Sequence, residues 1–563
     1  MKLYEPLKYY NEQGKKEHLE HTEKAFNELL EKSNIDVAGN RATVKSYEKE
    51  MATIKKIDEK LGRNKASKVL SIIGIVISAL ALIYGIIDVN VLAIVIPAVL
   101  IVGFSLLLGL VIIPNIKNAK KLKEKHQEKA DKFYNEALSQ MAPLNSLFDD
   151  NTPFKLIEKT IPELVFEDRF TKEHEQLFKT HHDFIDFQTE DSSMLDTISG
   201  KFMGNPFLFC RKRVHYMGSQ TYHGSLTISW TESYRDSNGH YRTRVRTQTL
   251  HASIVRPKPF YNLNTYLLYG SQAAPDLTFS RQGEHADDLS ERALERKIKK
   301  GEKKLKKKAE KALETGGRFQ GMTNTEFDVL FNATNRDNEV QFRVMYTPLA
   351  QNNTVDLITD QVNYGDDFKF EKIKRLNVIT SEHAQKWDMN VSASQYYSYS
   401  VDDAKNKFIT FNQEFFKSVF FDFAPLMAVP AYLEEPCASL EEIEDYDTNY
   451  TYYEHEVMAN AIGDNAFMHE DTVTPCILKT SYLGKDGSID TINVTAKSFY
   501  SVERVEFVSV FGGDGRMHAV PVPWLEYIPI SKDSSMQIDK FEQKNESLSG
   551  VCYHGLVAKK IEY

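Results

Sequence analysis

Two long uncharged stretches dominate the pattern of hydrophobic and polar positions along this chain. Residues 69–87 carry no charge, and after Asp88, Val89 and Asn90 a second uncharged stretch covers residues 91–113. At about 1.5 Å per residue, helices of these lengths would cover about 28 Å and 34 Å, close to the roughly 30 Å hydrocarbon core of a bilayer. The pattern predicts two transmembrane helices joined by a three-residue turn, rather than two buried helices of a soluble core.

Basic residues flank this predicted hairpin at both outer ends. They are Lys55, Lys56, Lys60, Arg63, Lys65 and Lys68 before the first stretch, and Lys117, Lys120, Lys121, Lys123, Lys125 and Lys129 after the second. Because lysine and arginine near the ends of a span are retained on the cytoplasmic side, both termini are predicted to be cytoplasmic. The expected localisation is the cell (inner) membrane, as a multi-pass protein with only the 88–90 turn on the far side.

Helical patterns continue on both sides of the hairpin, which itself covers residues 68–114. Residues 1–67 and 115–185 are rich in Glu and Lys with scattered apolar positions, and they predict cytoplasmic N-terminal helices and a helical stalk. Arms that leave the membrane side by side would pair as antiparallel helices. A coiled coil is a hypothesis only, because the apolar spacing is too irregular for a heptad repeat.

The character of the chain changes to strands near residue 189. Residues 222–231 and 241–255 are rich in β-formers, and the intervening Asp-Ser-Asn-Gly at 236–239 is a typical hairpin turn. We therefore expect an antiparallel β-rich domain over residues 186–380. A C-terminal α+β domain over 381–563 is predicted from a helix at 402–421 and strands near 473–482, 489–496, 502–511 and 517–527. The fold class is an α+β membrane protein with a two-helix transmembrane hairpin, a helical stalk and cytoplasmic antiparallel β-rich domains.

Three arginines share one face of the returning strand of this hairpin. Arg242, Arg244 and Arg246 alternate with uncharged residues, as side chains on one side of a strand do. Such a stripe can grip phosphates or an acidic partner. The alternative is a solvated face of a protruding hairpin, which is common in antiparallel sheets.

A lysine-rich helix is predicted over residues 287–315. Its most basic part contains Lys303, Lys304, Lys306, Lys307 and Lys308. Three interpretations are open: a solvated charged helix, a contact with the anionic inner leaflet, and an intramolecular contact with the acidic segment 434–456. Nucleic acid is disfavoured, because no aromatic platform or known binding motif accompanies the charges.

Signals for catalysis are weak. The four cysteines are too far apart for a CxxC pair, and the sequence contains no Walker loop, nucleophile elbow or dinucleotide fingerprint. His455-Glu456 begins like a zinc-protease helix, but Ala459 stands where the second histidine ligand would be. No cofactor and no metal are expected, and an enzyme is the less favoured class.

The order of these features resembles a known family. The hairpin, the stalk, the stretch from Asp196 to Phe207, the β-hairpin and the stretch from Glu326 to Leu349 are similar to a family of uncharacterised bacterial membrane proteins often encoded near LemA-type proteins. The resemblance covers about residues 50–380 and implies no activity, substrate or catalytic residue. The lysine-rich helix and the region after Asn377 depart from the family pattern.

Two functional hypotheses follow. The favoured one is a membrane-anchored scaffold or adaptor that presents its β-rich cytoplasmic region to a protein partner, to another copy of itself or to anionic lipid head groups. The alternative is a membrane-tethered enzyme with an unrecognised active site, which a deep pocket with several convergent ionisable groups would favour.

Overall fold

The chain combines α-helices with antiparallel β-sheets. The structure, a computed structural model, describes residues 3–87, 91–184, 189–235, 240–317, 319–386, 389, 391–433, 448–541, 550–553 and 555–561. Two compact units are present: a helical unit of His18–Leu156 and Val391–Glu414, and a β unit of Met1–Glu17, Ile157–Asn390 and Phe415–Tyr563. Most of the two predicted domains at 186–380 and 381–563 thus lies in the same compact unit.

The helices are α1 Pro6–Tyr9, α2 Lys15–Ser33, α3 Val37–Ile87, α4 Val91–Leu106, α5 Ile113–Asn145, α6 Thr152–Thr160, α7 Lys172–His181, α8 Glu291–Thr315, α9 Thr325–Phe331, α10 Glu339–Met345, α11 Pro348–Thr359, α12 Glu382–Lys386, α13 Val401–Met427, α14 Tyr452–Ile462 and α15 Asp464–Phe467. Short π-helical segments at Tyr10–Gly14 and Leu107–Ile112 connect α1 to α2 and α4 to α5. Single 3-10 turns lie at Ala393–Tyr396 and Pro430–Leu433.

The strands are β1 Leu164–Glu167, β2 Ser192–Phe202, β3 Asn205–Arg235, β4 Tyr241–Gly270, β5 Thr278–Arg281, β6 Lys369–Ile373, β7 Leu376–Thr380, β8 Ile477–Asp486, β9 Ile489–Phe511, β10 Met517–Lys540, β11 Val551–Tyr553 and β12 Leu556–Ile561. They form a seven-stranded sheet in the order β1-β2-β3-β4-β7-β6-β5 and a five-stranded sheet in the order β11-β12-β10-β9-β8. Each neighbouring pair is antiparallel.

Two very long helices shape the helical unit. Helix α3 has 51 residues, and α4 continues through the π-helical segment into α5. The two run antiparallel: Gln140 Nε2 donates to Thr43 Oγ1 at 3.2 Å, and Lys123 Nζ donates to Asp58 at 2.7 Å. Ile57 and nearby apolar residues bury a small core further along this contact. The arms on either side of the uncharged stretches therefore support each other.

An aromatic core anchors the other end of the helical unit. Phe26, Tyr396 and Phe408 are fully buried there together with Met141. His18 is also fully buried, and its Nε2 lies 3.1 Å from the carbonyl oxygen of Asn412. Burial lowers the pKa of His18 to about 4, so that the imidazole is neutral at physiological pH.

Two long β-hairpins extend from the sheets of the β unit. Strands β3 and β4, the first ribbon, pair continuously from Phe207–Tyr269 to Arg235–Tyr241, and β9 and β10 form the second ribbon. The ribbons pack against each other where Gly224 lies, since a Cβ at this position would be 2.0 Å from the carbonyl oxygen of Pro521. Only glycine permits this approach of two backbones.

The strands differ from the sequence-based prediction mainly in length. The strands predicted at 489–496 and 502–511 are one strand, β9, because the residues between them are themselves compatible with a strand and pair with β10. Residues 512–516 form the turn between β9 and β10, whereas the turn predicted at 236–239 lies outside the described residues. In the region predicted as a helical stalk, residues 164–167 form strand β1, since they pair with the edge of β2.

The phenylalanines of α13 lie in protein cores. Phe408 is buried in the helical unit, and Phe415, Phe416 and Phe420 are buried in the β unit. Phe423, one turn further along, packs on the rings of Phe202, Phe207 and Phe209 with centroid distances of 5.0 to 5.7 Å. The aromatic stripe is therefore structural.

Candidate functional site

The most unusual surface of the protein is the apolar part of α3 and α4. Helix α3, and the continuous helix that α4 forms with the π-helical segment and α5, are each long and apolar enough to cross a membrane, and only 11% of the most apolar stretch of each is buried. A core helix of a soluble protein would be mostly covered by its own chain. The exposed side chains include Val69, Leu70, Ile77, Leu80, Ile83, Ile86, Val91, Ile96, Val99, Val102 and Leu110.

Small residues let the two apolar helices approach each other. Ser71 and Ser78 are buried, and a Cβ on Gly74 would lie 2.9 Å from the ring of Phe104. The contact uses one narrow stripe of each helix, so the apolar side chains on the remaining faces are left uncovered.

The arginine stripe is held within its own hairpin. Arg242, Arg244 and Arg246 lie on one face of β4, opposite Tyr234, Glu232 and Trp230 respectively. Arg244 and Arg246 both donate to Glu232, and they lower the pKa of its carboxyl group. The guanidinium of Arg244 also lies 5.1 Å from the centre of the Tyr234 ring. Glu232 thus neutralises part of the positive charge predicted for this face.

Helix α8 divides the five candidate lysines between two faces. It begins at Glu291 after the N-cap Ser290, four residues later than predicted, so Asp287 and Asp288 lie outside it. Lys304 and Lys308 line a cleft between α8 and residues 329–334, whereas Lys303, Lys306 and Lys307 do not. Lys308 donates to the carbonyl oxygen of Thr334 at 2.5 Å.

The structure describes only two of the acidic residues in the segment 434–456. These are Glu454, which binds Arg169 at 3.0 Å, and Glu456, which binds Lys479 at 2.6 Å. Both carboxylates are buried, so neither is available to helix α8. The seven acids at 434–447 lie outside the described residues.

A cleft of about 400 Å³ in the β unit was not predicted from the sequence. We call it the aromatic cleft; it is lined by Glu190, Asp191, His215, Tyr261, Ile477, Lys497, Ser498, Phe499, Pro529, Ile530 and Ser531. These residues come from well-separated parts of the chain, and no local motif connects them. The cleft falls within the range of about 300–1,000 Å³ that is typical of small-molecule sites.

The chemistry of the aromatic cleft centres on His215. Its Nδ1 lies 3.4 Å from Asp191 Oδ1, and its ring lies 5.1 Å from that of Phe499 and 5.3 Å from that of Tyr261. Lys497 donates to Glu190 at the same cleft. The carboxylate beside Nδ1 favours the tautomer protonated there. The arrangement suits a small molecule with a ring and a polar group.

Three possible metal ligands also lie close together. The ligand atoms of His285, Asp287 and Asp288 are all within 4.8 Å of one another. His285 and Asp288 are exposed, and exposed acidic groups commonly cluster without a metal. The sequence-based prediction singled out Asp287 and Asp288 only as the start of a helix. Next to the adjacent histidines His181 and His182, Asp183 lies 3.6 Å from Arg375, and burial lowers the pKa of His182 to about 4.

Comparison of the chain with protein-family models, with curated proteins and with solved structures found no match. The family resemblance inferred from the order of sequence features therefore stays a prediction.

Proposed function

We propose that this protein is a membrane-anchored scaffold or adaptor that presents its β unit to a protein partner on the cytoplasmic face of the cell membrane. The observation that carries the proposal is the exposed apolar surface of α3 and α4. Each exposed Å² of apolar surface costs about 25 cal/mol in water, so the large side chains on two helices need an apolar environment. A bilayer supplies it over the required length of about 30 Å.

The flanking charges and the pairing of the arms support the orientation. Helices α3 and α5 run antiparallel, so the chain segments that precede and follow the apolar stretches lie on the same side. Both carry clusters of lysine, the residue type retained in the cytoplasm.

The first ribbon supports a role in binding. Beyond the place where Gly513 donates to Gln248, the side chains of its last residues are exposed, including Tyr241 and Val245 at 77% and 73%. These residues surround the arginine stripe. Exposed aromatic and arginine side chains are the types enriched at protein interfaces.

Affinity purification of the cross-linked protein from its native membrane tests this function. We expect a stoichiometric partner that is lost when Arg242, Arg244 and Arg246 are all replaced by Gln. The matched control is Thr243→Ala with Thr247→Ala, on the opposite face of the same strand. Recovery of the protein without any partner, or equal loss with both variants, would contradict the proposal.

A second candidate function, a membrane-tethered enzyme, is favoured by the aromatic cleft. The cleft gathers His215, Asp191, Lys497 and Glu190 beside two aromatic rings, which is the convergence of ionisable groups expected of an active site. Mass spectrometry of the purified protein separates the two functions. A small molecule that copurifies with the protein and is lost on Phe499→Ala would favour the enzyme.

A further inference from the structure

Four lysines lie along one side of helix α8, and three of them, Lys300, Lys304 and Lys308, are exposed. Lys297, Lys300, Lys304 and Lys308 are spaced three, four and four residues apart, which places them on one side of a helix. They line a cleft of about 360 Å³ whose opposite wall is formed by Val329, Asn332 and Thr334. Four cationic side chains therefore border the same open cleft.

A glycine sets the width of this cleft. A Cβ on Gly301 would lie 2.4 Å from Cγ1 of Val329, so any larger residue would push the helix away. Both ends of the lysine row are fixed by hydrogen bonds, since Lys297 donates to the carbonyl oxygen of Glu284 at 3.1 Å and Lys308 donates to that of Thr334. Lys300 and Lys304 lie between these two anchored lysines and are exposed.

The charges in the cleft are unbalanced. Glu284 is the single acidic residue of its lining, and its carboxylate already binds Lys297 at 3.1 Å and the side-chain amide of Asn332 at 3.0 Å. In the part of the chain that the structure describes, Lys300 and Lys304 have no acidic partner. Burial, and to a smaller extent the guanidinium of Arg336, lower the pKa of Lys308, while Asp328 and Glu339 oppose this shift. A bound anion would balance the charges of Lys300 and Lys304.

We propose that the cleft between α8 and residues 329–334 binds a phosphate group, with Lys300 and Lys304 as its principal ligands. Lysine ammonium groups are compact charges that bind phosphate oxygens strongly. Gly301, Leu305 and Val329 provide an apolar floor for the part of the ligand next to the phosphate. The cleft is large enough for a phospholipid head group or for a small soluble phosphate ester, and both present the same chemistry.

This inference goes beyond the scaffold function and does not depend on it. A solvated charged helix, or one that attracts anions without a defined site, would use all its lysines alike. A built site would use only those that face the cleft. The two faces of α8 therefore provide their own control, with the same residue type, the same helix and the same change of charge.

The test uses the full chain in nanodiscs of neutral phosphatidylcholine, titrated with inorganic pyrophosphate by calorimetry. We expect Lys300→Gln with Lys304→Gln to weaken binding by about tenfold or more, because each lost charge-assisted hydrogen bond is worth about that factor. The control, Lys303→Gln with Lys306→Gln, should change the affinity by less than about threefold, as expected for screened charges at a distance. Circular dichroism verifies that each variant is folded.

A second arm distinguishes the two sources of phosphate. Nanodiscs that contain phosphatidic acid should weaken pyrophosphate binding if a lipid head group fills the cleft, and leave it unchanged if the ligand is soluble; both results uphold the site. Equal weakening by the two pairs of substitutions, or no binding of pyrophosphate in neutral discs, would overturn it. Membrane anchoring is not affected by either result, so failure here is separate from failure of the scaffold function.

Discussion

Large apolar side chains occur both in helices α3 and α4 and in the β unit, but those of the helices are exposed and those of the β unit are mostly buried. Ile77 and Val99 in the helices are 61% and 64% exposed, whereas Phe423 in the β unit is completely buried among three other phenylalanines. The β unit supplies its own apolar environment. The helices α3 and α4 have only a narrow contact with each other, so their stability depends on what surrounds them.

The largest expected effect comes from placing charges on the exposed helices. Ile77→Arg with Val102→Arg puts one arginine near the centre of each apolar stretch, at an expected cost of about 2.5–3.5 kcal/mol each in a membrane. We expect most of the protein to leave the membrane fraction or to be degraded, as measured by fractionation and immunoblotting.

The matched control for these charges is Ile77→Ala with Val102→Ala, which should leave the protein in the membrane. If the arginine variant stays in the membrane as fully as the control, the apolar faces of the two helices do not contact lipid.

Truncation of a buried ring measures how much the aromatic core contributes to the stability of the β unit. Phe423→Ala should lower its free energy of unfolding by about 3–5 kcal/mol, since a cavity remains among the neighbouring rings. Phe507→Ala removes the same kind of ring from a position that is 67% exposed, and it should change the free energy of unfolding by less than about 0.5 kcal/mol. Urea unfolding of the protein in detergent, followed by tryptophan fluorescence, measures both; equal effects would refute the assigned core.

A buried lysine gives the β unit a pH dependence that the uncharged helices lack. Burial lowers the pKa of Lys372 to about 7, and its Nζ donates to the carbonyl oxygen of Lys374 at 2.6 Å. Between about pH 7 and its unfolded value of about 10.4, the unfolded chain binds a proton that the folded chain does not, so stability rises with pH.

Comparison with Lys372→Met isolates this lysine. From pH 7 to 9 the free energy of unfolding of the wild-type protein should increase relative to that of the variant, by at most about 1.4 kcal/mol per pH unit. A difference that stays constant over this interval, measured by urea unfolding at each pH, would show that Lys372 keeps its proton in the folded protein.

Glycines in the two regions provide a further contrast. Gly224→Ala should cost about 1–3 kcal/mol, because its methyl group would meet the backbone of Pro521. Gly103→Ala meets nothing within 4 Å and should change stability by less than about 1 kcal/mol. Thermal unfolding in the same detergent compares them, and a larger effect at Gly103 would place protein against a face of α4 that is now assigned to lipid.

The elements of this fold that depend on local pattern were accessible from the sequence. Both apolar helices, the β-hairpin and the aromatic stripe of α13 are periodic signals that need no knowledge of tertiary structure. The length of β9 was underestimated, because its pairing with β10 continues through residues that give only a weak local signal.

The candidate sites were less accessible for a physical reason. The aromatic cleft joins His215 to Phe499 across almost 300 residues of chain, and no spacing rule connects them. The lysine-rich helix was predicted from the sequence, but the sequence did not indicate which of its lysines line the cleft. Only the tertiary structure shows that Lys300 and Lys304 border the cleft next to Val329, whereas Lys303 and Lys306 do not line it.

The central claim is that α3 and α4 are embedded in lipid, and extraction at alkaline pH tests it most directly. Membranes that contain the intact protein are washed with sodium carbonate and then with urea, and the protein is followed in pellet and supernatant. An embedded hairpin remains in the pellet until detergent is added. Release of the protein into the supernatant by carbonate or urea alone would contradict the account.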